Sequence, residues 1–295
     1  MIPMDSSKLG RSMYELMMRT STELPEDVTC ALEKAREREP VHSTAANTLD
    51  IILKSAELSR ANRLPICQDT GVPFAVVRAP QAVDTAEITR ALVSALKTLT
   101  IEGVLRQNCV DPVNGSNSGD NTGPHVPQVH YEPSEGPIRV DFMLKGGGSE
   151  NVSTQYSLPC DELRAGRDLE GVRRCVLDAV FKAQGRGCAP GFISVCIGGD
   201  RASGYLVAKK GLFRKLGEAN PDVDLARLES VITEEANMLG IGPMGLGGNT
   251  TLLGCALNAA GRHPASFFVT VSYSCWATRR YSVELDETGG VARWL

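Results

Sequence analysis

Three glycine-rich segments constrain this chain more than any other feature: GGGS (Gly146–Ser149), IGGD (Ile197–Asp200) and GIGPMGLGGNTT (Gly240–Thr251). The first two follow β-branched runs that read as strands, Ile138–Lys145 and Phe192–Gly199. Clustered glycine lets backbone approach something closely, and at strand ends of an open α/β sheet that something is commonly a ligand. Each segment could equally be a tight turn or a helix cap, although a triple glycine after a strand is harder to explain that way. None matches GxxxxGK[ST], or GxGxxG between a strand and a helix, so a nucleotide site is unsupported.

Around these segments helical and extended patterns alternate. Apolar residues at three-to-four spacing predict helices over Ser43–Arg63, Asp84–Arg106, Asp168–Gln184, Ala202–Leu216 and Val223–Leu239, and the first hundred residues read as largely helical. Strand-like runs stand at Val72–Arg78, in SFFVTVSYSCW and in RRYSVELD. Gln107–Val126 is too rich in Asn, Gly, Ser, Asp and Pro for regular structure, and loops of that length are usually functional or disordered. With no fixed-period repeat and no clear linker, the simplest reading is one α/β domain over residues 1–295.

Charge narrows the partners. Lys plus Arg is 31 and Asp plus Glu is 35, a net charge of −4. That argues against nucleic acid, which needs a basic face, but not against small acidic ligands, for which two or three basic side chains suffice. No run approaches the roughly 18 apolar residues of a membrane span, and the first residues lack the pattern of a secretory signal. A cytoplasmic setting is therefore expected, in which the nine cysteines are thiols or ligands rather than disulfides.

Three cysteines lie where an element changes. Cys67 is in LPICQDTGVPF, Cys188 in GRGCAPGF and Cys275 in SYSCWATRR. There is no C-x-x-C, so local spacing identifies no metal site, and taken singly each is more simply read as a buried structural thiol. Asp69 would set a carboxylate beside whatever Cys67 binds, or cap an Asx turn. Arg106, at the edge of the long polar loop, could clamp a carboxylate or merely complement a helix dipole. Arg279 and Arg280 invite the same two readings, and His125, His130 and His263 lack metal-type spacing.

Taken together and in order, LPICQDTG, KGGGSEN, CAPGFISVCIGG, LGIGPMGLGGNTT and RHPASFFVTVSYSCWATRR resemble the class I (iron–sulfur) fumarate hydratases, most closely the α subunit of their two-subunit form. The related tartrate dehydratase α subunit is the nearest alternative, and the SEN after GGG favours fumarate. The resemblance implies a fumarase class I N-terminal-type domain, α/β with mixed sheets and surrounding helices. It also implies a [4Fe–4S] cluster held by Cys67, Cys188 and Cys275, leaving one iron open as a Lewis acid. Cys196 is the rival ligand, set aside because it falls inside a predicted strand. By the same resemblance Asp69 is the catalytic proton donor or acceptor. Gln68, Arg106 and the Gly146, Gly147 and Gly148 turn contact a small dicarboxylate.

The implied reaction is reversible hydration of fumarate to L-malate, with a place in the tricarboxylic acid cycle. L-tartrate or mesaconate/citramalate are alternative substrates. An iron–sulfur redox sensor or electron carrier, or a scaffold without a cluster, are alternatives of another class. One-chain members carry a further C-terminal domain with a second catalytic base, so a separate β subunit and a hetero-oligomer are expected. The sequence departs from the family at Asn249, where Lys is expected.

Overall fold

The computed structural model describes residues 4–295. In chain order the first elements are α1 (Ser6–Thr22), α2 (Glu26–Arg38), α3 (Thr44–Asn62), β1 (Val72–Ala79), α4 (Thr85–Ile101), β2 (Gln128–Pro133) and β3 (Ile138–Lys145). There follow α5 (Gly147–Asn151), β4 (Thr154–Ser157), α6 (Leu169–Ala183), β5 (Gly191–Gly198), α7 (Arg201–Gly211) and α8 (Val223–Met238). The chain closes with β6 (Leu252–Ala260), β7 (Phe268–Ser274), β8 (Arg280–Leu285) and β9 (Val291–Trp294). It is α/β, with two mixed sheets and a helical N-terminal region. Two compact units form: one from residues up to Pro25, Ser55–Gly147 and Ala277–Leu295, the other from Glu26–Lys54 and Gly148–Trp276.

In the first unit five strands run in the order β2-β1-β3-β8-β9, with only the β1/β2 pair parallel. Helix α1 buries Leu9, Met13, Leu16 and Met17, and α4 buries Ile88, Leu92, Leu96 and Leu99. These stripes pack with Ala75 and Val77 of β1, Val140 and Phe142 of β3, and Val283 of β8. Each such large side chain contributes about 1.5–3 kcal/mol when fully buried. Asp5 and Asp84 cap α1 and α4. The expected helix to Arg106 stops earlier because Gly103 turns left-handed (φ +76°). The Gly103 N–H then bonds Thr100 O and the Val104 N–H bonds Leu99 O, a Schellman termination.

In the second unit the order is β4-β7-β5-β6, with β5/β6 parallel and the other pairs antiparallel. One face carries Ile193, Val195, Val269 and Val271 against α6 and α8, through Val172, Val176, Ile232 and Ala236. The other faces α7 and presents small polar side chains such as Ser194 and Thr270, both fully buried. Helix α7 can lie this close only because it is glycine there. A Cβ at Gly204 would stand 2.5 Å from Thr270 Oγ1, and one at Gly211 would overlap Ser194 Oγ and Asn258 Nδ2. In an exposed helix Gly→Ala stabilises by roughly 1 kcal/mol. Here the overlap wins, since Ser194 and Asn258 already bond each other at 3.0 Å. Gly211→Ala is expected to lower stability by about 1–3 kcal/mol, read as a lower urea midpoint. A raised midpoint would mean that the pair simply moves aside.

β2, β4, β6 and β9 were not expected. Leu252–Ala260 (LLGCALNAA) has helix-forming composition, yet it is a strand because β5 offers it a parallel ladder over Gly191–Gly198. No helix of the described residues is long and apolar enough to cross a membrane.

Candidate active site

The loop from Cys67 to Gly71 joins α3 to β1 in the first unit. Its entry is pinned by the Ile66 N–H on Ser21 O (2.9 Å). Its exit is Gly71, whose φ of +78° and absent Cβ are both required: a Cβ there would lie 2.6 Å from the Lys145 carbonyl. The QDTG loop is thereby seated against the Lys145–Gly146 peptide, so the two motifs share one site. Asp69 Oδ2 accepts from Gly147 N–H (2.7 Å), and Oδ1 accepts from Gly71 N–H (2.8 Å) and Asn108 Nδ2 (3.0 Å). The Asx turn and the motif-to-motif contact therefore coexist in this one carboxylate.

Thr70 is buried and makes a reciprocal pair with the Arg106 backbone, accepting its N–H and donating to its carbonyl, both at 2.8 Å. That clamp presents the exposed Arg106 guanidinium beside Gln68, with Nη1 3.5 Å from Oε1. Asn121 braces the same stretch, accepting from Asn108 N–H (2.7 Å) and donating to Arg106 O (2.7 Å). On the other side Arg279, 2% exposed, donates from Nη2 to Asp69 O (2.8 Å).

In the second unit Cys188 follows α6 through a 3₁₀ turn (Gln184–Gly187) and sits left-handed at φ +53°. Its carbonyl accepts from the N–H of Trp276, the residue after Cys275 (3.1 Å). Tyr273 packs closely against Gly187 and Gly191. Its hydroxyl is held well above the usual phenol range by burial, with further contributions from Cys275 and then Cys188. Two of the three candidate ligands are thus brought to one end of the second sheet. Gly148 lines a cavity of about 490 Å³ in this unit, together with Tyr156, Lys182 and Arg186.

The remaining cysteines separate by environment. Burial raises the thiols of Cys175 to about 12 and Cys196 to about 11, and pushes Cys255 higher still. Thiols of this kind stay protonated near neutrality and make poor ligands. Cys196 is fully buried in β5, whereas Cys67, Cys188 and Cys275 are half-buried. Among the described residues no group of three or more His, Cys, Asp or Glu side chains is arranged to hold a metal ion.

Asn249, the departure from the expected Lys, has a structural role. Its Nδ2 donates to Arg38 O (3.0 Å), while Glu39 accepts from the N–H groups of Asn249 (2.8 Å) and Thr250 (2.9 Å). His130 lies in β2 with its ring 5.1 Å from that of Phe74, and His263 Nδ1 accepts from Ala265 N–H (3.1 Å). Sequence reasoning missed Asn108 and Thr70 as site residues. Asn108 stands two positions after Arg106 in the polar loop, and only its contact with Asp69 distinguishes it from its neighbours.

In one unit of this α/β fold a loop carboxylate is seated on a glycine turn, with an exposed Arg–Gln pair on the same loop system. The family model described as fumarate hydratase (Fumerase) matches residues 11–284, and the chain belongs to that family, a family of hydro-lyases. It is 49% identical over 98% of its length to "Putative fumarate hydratase class I" of Geobacillus stearothermophilus, of which it spans 57%. It is 35% identical over 92% of its length to "Putative L(+)-tartrate dehydratase subunit alpha" of Methanocaldococcus jannaschii, spanning 96% of that protein. It is also 30% identical over 93% of its length to "L(+)-tartrate dehydratase subunit alpha" of Escherichia coli K12, spanning 89% of it.

Proposed function

We propose that this chain is the cluster-binding domain, over residues 1–295, of a hydro-lyase that reversibly hydrates fumarate to L-malate. The observation that carries the reading is the Asp69–Gly147 hydrogen bond, which joins QDTG to the triple glycine around one carboxylate. The residues fit an iron–sulfur group in the chemistry of their donors: Cys188 and Cys275 are half-buried thiols on segments joined by the Trp276 N–H bond to Cys188 O (3.1 Å), unlike the core thiols of Cys175, Cys196 and Cys255. Cys67, Cys188 and Cys275 would hold a [4Fe–4S] cluster. When bound it would supply an open iron that acts as a Lewis acid on the substrate's hydroxyl.

The chain's own residues do the rest. A carboxylate offers about four acceptor positions, and Asp69 has three filled by N–H donors. The vacant lone pair on Oδ2 is where a proton is held or released. Arg106 and Gln68 bind one substrate carboxylate, with the Arg106 backbone fixed by Thr70 so that the guanidinium is presented rather than free to wander. The glycine turn, Gly146 to Gly148, would let a second acidic group come close to the backbone, with the Gly147 N–H already committed to Asp69. Arg106→Met removes a charge-assisted contact made to substrate throughout the reaction. It is expected to raise KM about 10- to 100-fold with a smaller change in kcat. A fall confined to kcat would remove Arg106 from substrate binding.

A second chain is part of this proposal. The chain spans little over half of the Geobacillus relative, and the tartrate dehydratase relatives are named as alpha subunits. A separate β subunit would contribute the second base and further anion-binding groups. The same relatives support a second reading, in which L-tartrate, or a methylated dicarboxylate such as mesaconate, replaces fumarate. Anaerobic co-expression with the β subunit, iron analysis and a panel of fumarate, L-tartrate and mesaconate test the proposal. About four irons per chain and preference for fumarate support it. Full turnover by the isolated chain, or an iron-free active enzyme, overturns it.

A further inference from the structure

We propose that Asn121 is a positioning residue of this site, whose one buried amide sets two arms, Arg106 and Asn108, side by side against the QDTG loop. The inference rests on the roles proposed above for Arg106 and Asp69. Both arms belong to the polar segment between α4 and β2, where no helix or named strand would hold them. Both residues are also exposed. Left to themselves, two such side chains would lose much of any contact they make to the entropy of ordering them.

Asn121 supplies the missing frame. It is 2% exposed and left-handed at φ +59°, a conformation that asparagine tolerates better than most residues. Its Oδ1 accepts from Asn108 N–H (2.7 Å), and its Nδ2 donates to Arg106 O (2.7 Å). These two contacts take the peptide groups on either side of Gln107, as a neighbouring strand would. Side chains two positions apart on such a stretch face the same way, and both reach QDTG. Arg106 Nη1 lies 3.5 Å from Gln68 Oε1, and Asn108 Nδ2 donates to Asp69 Oδ1 (3.0 Å). The second Nδ2 hydrogen goes to Thr100 Oγ1 (3.0 Å), and Thr100 is itself buried in α4 with its hydroxyl on Leu96 O (2.7 Å). The preceding residue is tied to the same helix, through Asp120 Oδ2 and Lys97 Nζ (3.1 Å). The rigidity of α4 is thus passed through one amide to two exposed side chains. With both donors spent inside the protein, Asn121 acts through those side chains and not on substrate.

The test is a double-mutant cycle on enzyme co-expressed anaerobically with its β subunit, assayed with the substrate it turns over best. Asn121→Gly keeps the left-handed backbone and deletes the amide. It is expected to raise KM about 3- to 10-fold and to lower kcat by a similar factor, because both arms are loosened. In an Arg106→Met background the same change should still lower kcat but add nothing to KM, since the arm it positions is gone. Asn121→Asp, as a carboxylate, keeps the acceptor for Asn108 N–H and turns an oxygen on the Arg106 carbonyl. It should raise KM with kcat nearly unchanged, and it carries the cycle should the glycine variant not fold. A wild-type KM in the variant tested, or a rise of the same factor with and without the Arg106 side chain, would make Asn121 a residue of the fold alone and overturn the proposal. Failure of both variants to fold would do the same. A wild-type KM in Arg106→Met itself would instead defeat the reading of Arg106, and this inference with it.

Discussion

Cys188→Ser is expected to leave a folded chain that retains little iron and, with its β subunit, loses hydratase turnover at least ~100-fold. The reasoning starts from the turn. Cys188 is half-buried at a left-handed position whose carbonyl ties it to the segment carrying Cys275, so replacing sulfur by oxygen disturbs little packing. What changes is the ligand: a serine hydroxyl is far less acidic than a thiol and holds iron poorly at neutral pH. Cys196→Ser supplies the contrast. That thiol is fully buried in β5, pushed up to about 11 by its surroundings, so the substitution should lower the melting temperature and leave iron content alone. The reverse pattern, iron lost with Cys196 and kept with Cys188, would exchange the two ligands and break the assignment.

Asp69→Asn should be the most damaging change that leaves the cluster in place, lowering kcat about 10²- to 10⁴-fold. An amide cannot take up and release a proton as a carboxylate does. It also leaves a structural scar. The Asn Oδ1 could still accept from Gly71 and Asn108, but its NH₂ would point at the Gly147 N–H, replacing a 2.7 Å hydrogen bond by two opposed donors. That costs about 1–3 kcal/mol, so melting temperature must be measured alongside turnover. Asn108→Ala separates the two effects. It removes one donor to Asp69 but no proton-transfer group, so it should shift the pH profile and lower kcat far less than Asp69→Asn. Equal losses in both variants would make Asp69 a structural anchor rather than an acid–base group.

How much of this was legible beforehand depended on whether a feature leaves a local trace. The stripe along Asp84–Leu99 and the run Ile138–Lys145 announce a helix and a strand, because apolar periodicity records which face is buried. The end of α4 was less legible. Gly103 could be tolerated inside a helix, and only its left-handed turn shows that it closes one. β6 was invisible for a stronger reason: leucine and alanine favour a helix, and the parallel partner that overrides them lies in β5. The GGG after β3 was expected to let backbone approach a ligand. It also starts the short helix α5, and its Gly147 N–H is directed at Asp69.

The cysteines illustrate the same division. All nine are equivalent as letters, and spacing distinguishes none of them. Motif context singled out Cys67, Cys188 and Cys275, and burial then set Cys175, Cys196 and Cys255 apart as protonated core thiols. Asn249 moved the other way. In the sequence it stands out only as a departure from a pattern, whereas in the structure its amide closes the carbonyl end of α2 at Arg38.

Order and identity of residues along the chain determined the class of fold, the family and the short list of groups able to do chemistry, because motifs and periodicities are written in adjacent positions. Which of those groups touch was decided only by folding. Asp69 meets Gly147 and Arg279 across separations of 78 and 210 positions. Hydrogen bonds and buried charge depend on distance in space, and a linear chain carries no record of distances between segments that far apart.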